Sequence, residues 1–254
     1  MSDGSRIYFH ELSSGDWKIA QVSVTGGPTA PIETRFANSY ISGVAHDGSA
    51  LLIGVGGHND VEYPLWWLPL PAGEPRRLGD IETQNADIFP DGRIVFAKLT
   101  RGKDASGTDS TTDWFTADKD GLNPRKLVSF PGDVGAVVVE SDERILLSER
   151  NNSGGTLFDI AADGTGLREI GKFTANECCA GLTPDGKYLV YQSGNDQQSD
   201  IWVLPMQTGF FAAQGGRFDS RMVRCLTRLH GRAAMESRFL WSARSSVANW
   251  FATT

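Results

Sequence analysis

The chain is short of cysteine, of basic charge and of long apolar runs, and each shortage excludes a class of protein. Three cysteines in 254 residues, Cys178, Cys179 and Cys225, are too few and too unevenly spaced for a disulfide framework or a zinc site. Lys and Arg number 24 against 31 Asp and Glu, and the resulting net charge of −7 repels a phosphate backbone, which disfavours nucleic-acid binding through this chain. No apolar run approaches the roughly 18 residues of a membrane helix. Met1-Ser2-Asp3-Gly4 has neither the basic segment nor the apolar core of a signal peptide, so as written the chain reads as cytoplasmic. No Gly-x-Ser-x-Gly elbow, His-Glu-x-x-His helix or phosphate-binding glycine loop occurs, and a hydrolase reading therefore lacks its nucleophile. Gly54-Val55-Gly56-Gly57-His58-Asn59 has the glycines of a dinucleotide fingerprint but follows a short strand and opens no helix. The four histidines fall at unrelated points, and no metal or cofactor is expected.

What the chain does have is glycine, 29 residues of it, and a repeat. Asp-Gly or a close relative recurs at Asp3-Gly4, Asp47-Gly48, Asp91-Gly92, Asp142-Glu143 and Asp185-Gly186, at spacings of 44, 44, 51 and 43. Each is followed by a short run rich in β-branched and aromatic residues, such as Arg93-Ile94-Val95-Phe96 or Lys187-Tyr188-Leu189-Val190. Glycine accepts positive φ and Asp tolerates it, so these pairs read as hairpin turns between strands. A second strand built round an aromatic follows in each unit, at Trp17, Trp66-Trp67, Trp114-Phe115, Phe158 and Trp202. A further turn and strand come next, as in Asp120-Gly121-Leu122-Asn123-Pro124-Arg125-Lys126-Leu127.

Four strands in about 44 residues is the size of a propeller blade. The expected fold is therefore all-β, a β-propeller of four-stranded blades, about six in number. The units run 1–36, 37–82, 83–130, 131–173, 174–228 and 229–254, the last one partial, in a single domain. The first unit begins at its Asp-Gly turn and lacks an innermost strand. Either the ring is incomplete or its last blade is shared between the two ends of the chain. Residues 215–254 stand apart in composition, with seven Arg against Asp219 and Glu236.

The unit Leu182-Thr183-Pro184-Asp185-Gly186-Lys187-Tyr188-Leu189-Val190-Tyr191, followed by Asp200-Ile201-Trp202-Val203-Leu204, resembles the TolB-like, WD-repeat-like propeller module of bacteria. The segments Leu68 to Gly79, Ala117 to Leu127 and Asn176-Glu177-Cys178-Cys179-Ala180-Gly181 narrow the likeness. They resemble the C-terminal propeller of acidobacterial transcriptional regulators with a winged helix of the CadC/ToxR type. That resemblance implies a sensor or protein-interaction module and, where the parent is membrane-anchored, a periplasmic location. The winged helix and membrane segment of that family are absent here. Similar propellers also gate prolyl-oligopeptidase-type peptidases, so a propeller enzyme or a gating propeller is the alternative.

Tight turns occupy one end of such a disc, and the connections between strands two and three and between units occupy the other. These connections are expected to be long at 54–64, 100–112, 150–155 and 193–199, joined by 79–85, 131–135 and 174–179. Function concentrates on variable loops carried by a rigid scaffold, so a protein or a small polar ligand is expected on this long-loop face. The candidate residues are His58, Asp60, Arg150, Asn151, Glu177, Cys178, Cys179 and Asp196. His58 lies among polar neighbours in a long connection, and Cys178-Cys179 pairs two thiols at adjacent positions. His10 is expected to end a strand and to be solvated, and Asp118 to Asn123 to be a capped turn rather than a calcium loop.

Overall fold

The structure is a computed structural model. It describes residues 1–13, 16–57, 60, 62–102, 110–139, 143–151, 154–174, 177–182, 188–195 and 198–205. At 12–13, 133–134, 136, 150–151, 177–182, 192, 194–195, 198–200, 202 and 204–205 it describes the backbone alone. The turns expected at Asp142 and Asp185, together with Cys225, His230 and the whole segment 206–254, lie outside the described residues.

Every regular element among the described residues is a strand, and the strands form five antiparallel sheets in propeller-like sequence. The first holds β1 (Arg6–Ser13), β2 (Asp16–Ser23) and β3 (Ala30–Ile32). The second holds β4 (Ser39–Val44), β5 (Ala50–Val55), β6 (Tyr63–Pro69) and β7 (Arg76–Thr83). The third comprises β8 (Ala86–Ile88), β9 (Ile94–Thr100), β10 (Thr111–Ala117) and β11 (Arg125–Pro131). In the fourth are β12 (Asp133–Val139), β13 (Arg144–Asn151), β14 (Gly154–Ala161) and β15 (Arg168–Thr174). The fifth has β16 (Glu177–Leu182), β17 (Tyr188–Asn195) and β18 (Gln198–Pro205). Within each sheet, neighbours in sequence are neighbours in space, and the innermost strands pack in turn, β4 on β8, β8 on β12 and β12 on β16. The first sheet lacks a named inner strand, and an isolated bridge from Ser2 to Ile7 stands in its place.

The second strand of each blade is apolar on both faces because it has a blade on either side. In β5, Leu51 and Ile53 join the cluster with Tyr8, Ile19 and Ile41 of the first two sheets, whereas Leu52 points the other way, to Ile88, Ile94 and Phe96 of the third. β9 repeats this: Ile94 and Phe96 face back, while Val95 and Ala97 face forward to Ile145, Leu147 and Ile160. Strand periodicity of two, with both faces buried, yields a continuous apolar run instead of an alternation. Trp114 is wholly buried in the third-to-fourth seam, where Phe130 and Phe158 stack with ring centres 4.6 Å apart. Burying each such side chain contributes roughly 1.5 to 3 kcal/mol.

The Asp-Gly turns behave as their chemistry dictates. Gly4, Gly48 and Gly92 have φ of 93°, 70° and 88°. The preceding carboxylates close the turns, Asp3 Oδ1 accepting from the Ser5 and Arg6 N–H groups, Asp47 Oδ1 from Ser49 N–H and Asp91 Oδ1 from Arg93 N–H. Asp118 Oδ1 likewise accepts from the Asp120 and Leu122 N–H groups, and Asn123 Nδ2 donates to its Oδ2 at 3.0 Å, so this segment is a capped turn. The outer turns also set blade spacing. A β-carbon at Gly121 would lie 2.7 Å from the Leu78 carbonyl carbon, so the third blade's outer turn rests directly on β7.

Candidate binding face

The turn between β4 and β5 and the turn between β6 and β7 share one end of the second blade, where Leu70 N–H donates to Ser49 O at 2.7 Å. Antiparallel pairing then puts the β5–β6 connection and the links between blades at the other end. That end is less loopy than the sequence suggests. β13 pairs with β14 as far as Asn151 opposite Gly154, and β17 with β18 as far as Asn195 opposite Gln198. At two of the four connections expected to be long, the ladders run on until only two residues separate the paired strands, and Gly154 and Gly155 belong to β14. Arg150 and Asn151 accordingly end strand β13 instead of sitting in a loop. Glu177, Cys178 and Cys179 belong to the inner strand β16, whose ladder is irregular between Cys178 and Gly181. Both sets still lie at this end of their blades. His58 and Asp196 lie outside the described residues.

Asp60 is described. Its Oδ2 accepts from Gly57 N–H at 2.6 Å, and its carboxylate shares a bed with Tyr63. A β-carbon at Gly56 would sit 2.6 Å from the Tyr63 ring and 2.7 Å from Asp60 Oδ2, so glycine there is what lets both groups lie on the chain. Tyr63 in turn packs against Tyr40 with ring centres 4.8 Å apart. Tyr40 meets His10 at 6.1 Å and His10 meets Trp17 at 6.2 Å, both edge-on. The result is a half-buried aromatic row, Trp17, His10, Tyr40 and Tyr63, across the first two blades. Burial is the leading reason that both phenols lie above their ordinary range, followed for Tyr40 by Tyr63 and then Asp60, and for Tyr63 by Asp60.

His10 does not end a strand, and it is not solvated. It lies inside β1, paired with Ile19, and its Nε2 accepts the Ile41 N–H at 2.7 Å. That N–H is available because β4 ends its sheet and has a ladder partner, β5, on one side only. A ring nitrogen that accepts must be unprotonated, which assigns the proton to Nδ1. Burial is the leading reason that the imidazole pKa falls to about 4. The row was hidden in the sequence, since its members come from four strands of two blades with no common spacing. Only Trp17, already in register with the repeat, pointed towards it.

Other side-chain acceptors tie one blade to the next in the same manner. Asn38 Oδ1 accepts from Trp17 N–H at 2.9 Å, Glu62 Oε1 from Leu99 N–H at 2.8 Å and Asp87 Oδ2 from Val139 N–H at 2.9 Å. Among the described residues, no three His, Cys, Asp or Glu side chains converge as a metal site, and no helix is long and apolar enough to cross a membrane.

No protein-family model matches the chain, and no curated protein does. Solved structures do. TolB from Acinetobacter baumannii superposes with a TM-score of 0.61 at 15% identity, over 80% of this chain and 49% of that one. A putative TolB from Agrobacterium tumefaciens gives 0.57 at 16%, over 78% and 73%. An oligogalacturonate lyase in complex with manganese gives 0.55 at 16%, over 80% and 60%. This chain therefore spans about half of the Acinetobacter TolB chain and three fifths of the lyase. At such identities the likeness establishes the fold, and the chain has the β-propeller fold seen in TolB.

Proposed function

We propose that the chain is a non-enzymatic binding propeller, a sensor or protein-interaction module that meets its partner at the end carrying the aromatic row. The observation that carries this reading is the row itself. Trp17, His10, Tyr40 and Tyr63 form a contiguous surface, half-buried and flanked by the exposed Asp60. Aromatic side chains with a polar tip supply large contact area at low conformational cost and are enriched in interfaces. The opposite end uses its polar groups to close its own turns, as Asp3, Asp47, Asp91 and Asp118 do. Arg150, Asn151, Glu177, Cys178 and Cys179, at the same end of later blades, extend the proposed surface; His58 and Asp196, the other candidates from the sequence, lie outside the described residues. The resemblance of 68–79, 117–127 and 176–181 to regulator propellers supports parentage in a winged-helix transcriptional regulator. An in-frame winged helix encoded upstream of residue 1 would decide that parentage.

The test compares three immobilised chains: the wild type, a Tyr40→Ala/Tyr63→Ala variant and a Lys119→Ala/Leu122→Ala variant at the turn end. Captured proteins are identified by mass spectrometry, and each chain is melted in parallel. A partner retained by the turn-end variant and lost by the tyrosine variant, with the fold intact in both, supports the reading. Loss from the turn-end variant alone puts the binding surface on the other end of the disc.

A further inference from the structure

A shallow, open cleft of about 390 Å³ lies between the β3–β4 connection, at Arg35, Phe36, Ala37 and Asn38, and the end of β5, at Val55, Gly56 and Gly57. We propose that it binds a small organic monocarboxylate with an apolar body. The volume falls within the range of small-molecule sites. Phe36, Ala37 and Val55 furnish apolar walls, and Gly56 and Gly57 contribute no side chains to obstruct it.

The polar edge of the cleft is made of donors. The Arg35 guanidinium stands 5.3 Å from the Phe36 ring centre and 5.5 Å from that of Trp66, and those rings are 4.9 Å apart. A planar guanidinium held on two rings is already oriented, so little rotamer freedom remains to be lost when a carboxylate meets its fork. Its present ion partner is Glu74, 3.5 Å away with a side chain 90% exposed. An exposed pair of this kind is worth little, and a carboxylate arriving from the cleft can take its place. Asn38 spends its Oδ1 on Trp17 N–H, which orients the amide and leaves its Nδ2 donors for a ligand.

Charge at the rim narrows the class. Among the described residues no acidic side chain lines the cleft, yet Glu74 sits on Arg35 and Asp60 sits on Gly57. One negative charge can be met by Arg35, whereas a dianion such as phosphate would also face these two carboxylates. The inference does not depend on partner binding at the aromatic row, and its variants leave that row untouched.

The experiment is saturation-transfer NMR and calorimetric titration of the full chain with benzoate, with benzamide and inorganic phosphate as contrasts. Benzoate should bind saturably, and benzamide and phosphate should each bind about tenfold more weakly or worse, the scale of a hydrogen bond to a charged group. Arg35→Met, which keeps the stem over the rings, should weaken benzoate by about tenfold. Glu74→Gln should strengthen it about twofold by removing the competing carboxylate. Both sites are exposed, and circular dichroism would verify that each variant folds. Equal binding of benzoate and benzamide, an unaffected Arg35→Met variant, or no saturable benzoate binding would overturn the proposal. Tighter binding of phosphate would overturn its choice of a monocarboxylate.

Discussion

Acid should unfold this protein through His10 before it does so through its carboxylates. The imidazole Nε2 accepts the Ile41 N–H at 2.7 Å, in a half-buried position between Trp17 and Tyr40. Protonation would turn that acceptor into a donor facing another donor, and would place a cation where burial disfavours one. The folded pKa of about 4 lies below the ordinary 6.5 of a histidine, so the unfolded chain takes up the proton first. Stability attributable to neutral His10 is complete above pH 6.5. It declines by about 1.4 kcal/mol per pH unit as pH falls from 6.5 towards 4, and levels off below, a total on the order of 3 kcal/mol. Urea denaturation at pH 7, 6, 5 and 4.5 would measure this, with His10→Gln as the reference. A glutamine oxygen can accept the same N–H and does not titrate, so contributions from groups that do not interact with His10 cancel in the difference between the two chains, and among the described residues the nearby amino terminus is the one coupled group. Wild type and variant should be close at pH 7 and diverge steadily below 6.5, the wild type losing more. Parallel curves across this range would refute the assignment of His10 as an unprotonated link between blades.

Other perturbations test the blade contacts. Gly121→Val should cost more than about 2 kcal/mol, because φ is +76° and the new β-carbon would meet the Leu78 backbone at 2.7 Å, whereas Gly26→Ala, at φ +85° with nothing within 4 Å, should cost about 1 kcal/mol; thermal melts would compare them. Asp87→Leu should destabilise by about 2 kcal/mol or more in urea titration, since it strips the buried Val139 and Ile88 N–H groups of their acceptor. Asp159→Asn should cost about 2 kcal/mol in the same assay. Arg144 and Arg168 both pair with this nearly buried carboxylate, but their guanidiniums reach water, which softens the loss relative to a fully buried pair.

The strands and turns were legible because their chemistry is local. An Asp that caps the next turn and a Gly at positive φ act within a few residues, as Asp47-Gly48 and Asp91-Gly92 do, so a periodic sequence exposes them directly. The connections were less legible. Arg150-Asn151-Asn152-Ser153-Gly154 is polar enough to read as a loop, yet Arg150 and Asn151 complete the ladder to Gly155 and Gly154. Polarity marks exposure, and the end of a hairpin is exposed whether or not it is paired. His10 shows the complementary error. No local pattern separates a solvated histidine from one whose acceptor atom meets an N–H thirty-one residues away.

Such contacts across seams follow from the architecture. Blade cores are built by the two-faced strands β5, β9 and β13, which sandwich apolar side chains between sheets and specify little about the angle at which sheets meet. β4 and β12 each end their sheet and have a ladder partner on one side only, which leaves backbone N–H groups such as those of Ile41 and Val139 facing the seam. A buried backbone N–H is costly without an acceptor, and a directional one fixes position as well as energy. His10 serves Ile41 across the first seam, and Asp87 serves Val139 across the third. The two residues differ in chemistry, so no repeat signature would reveal them, and they differ in their response to pH. In the first seam the acceptor is an imidazole that lies in the proposed binding row. Partner binding there and the packing of the first two blades consequently draw on the same side chain, and a partner that seats on Tyr40 and Tyr63 should also shield His10 from protons.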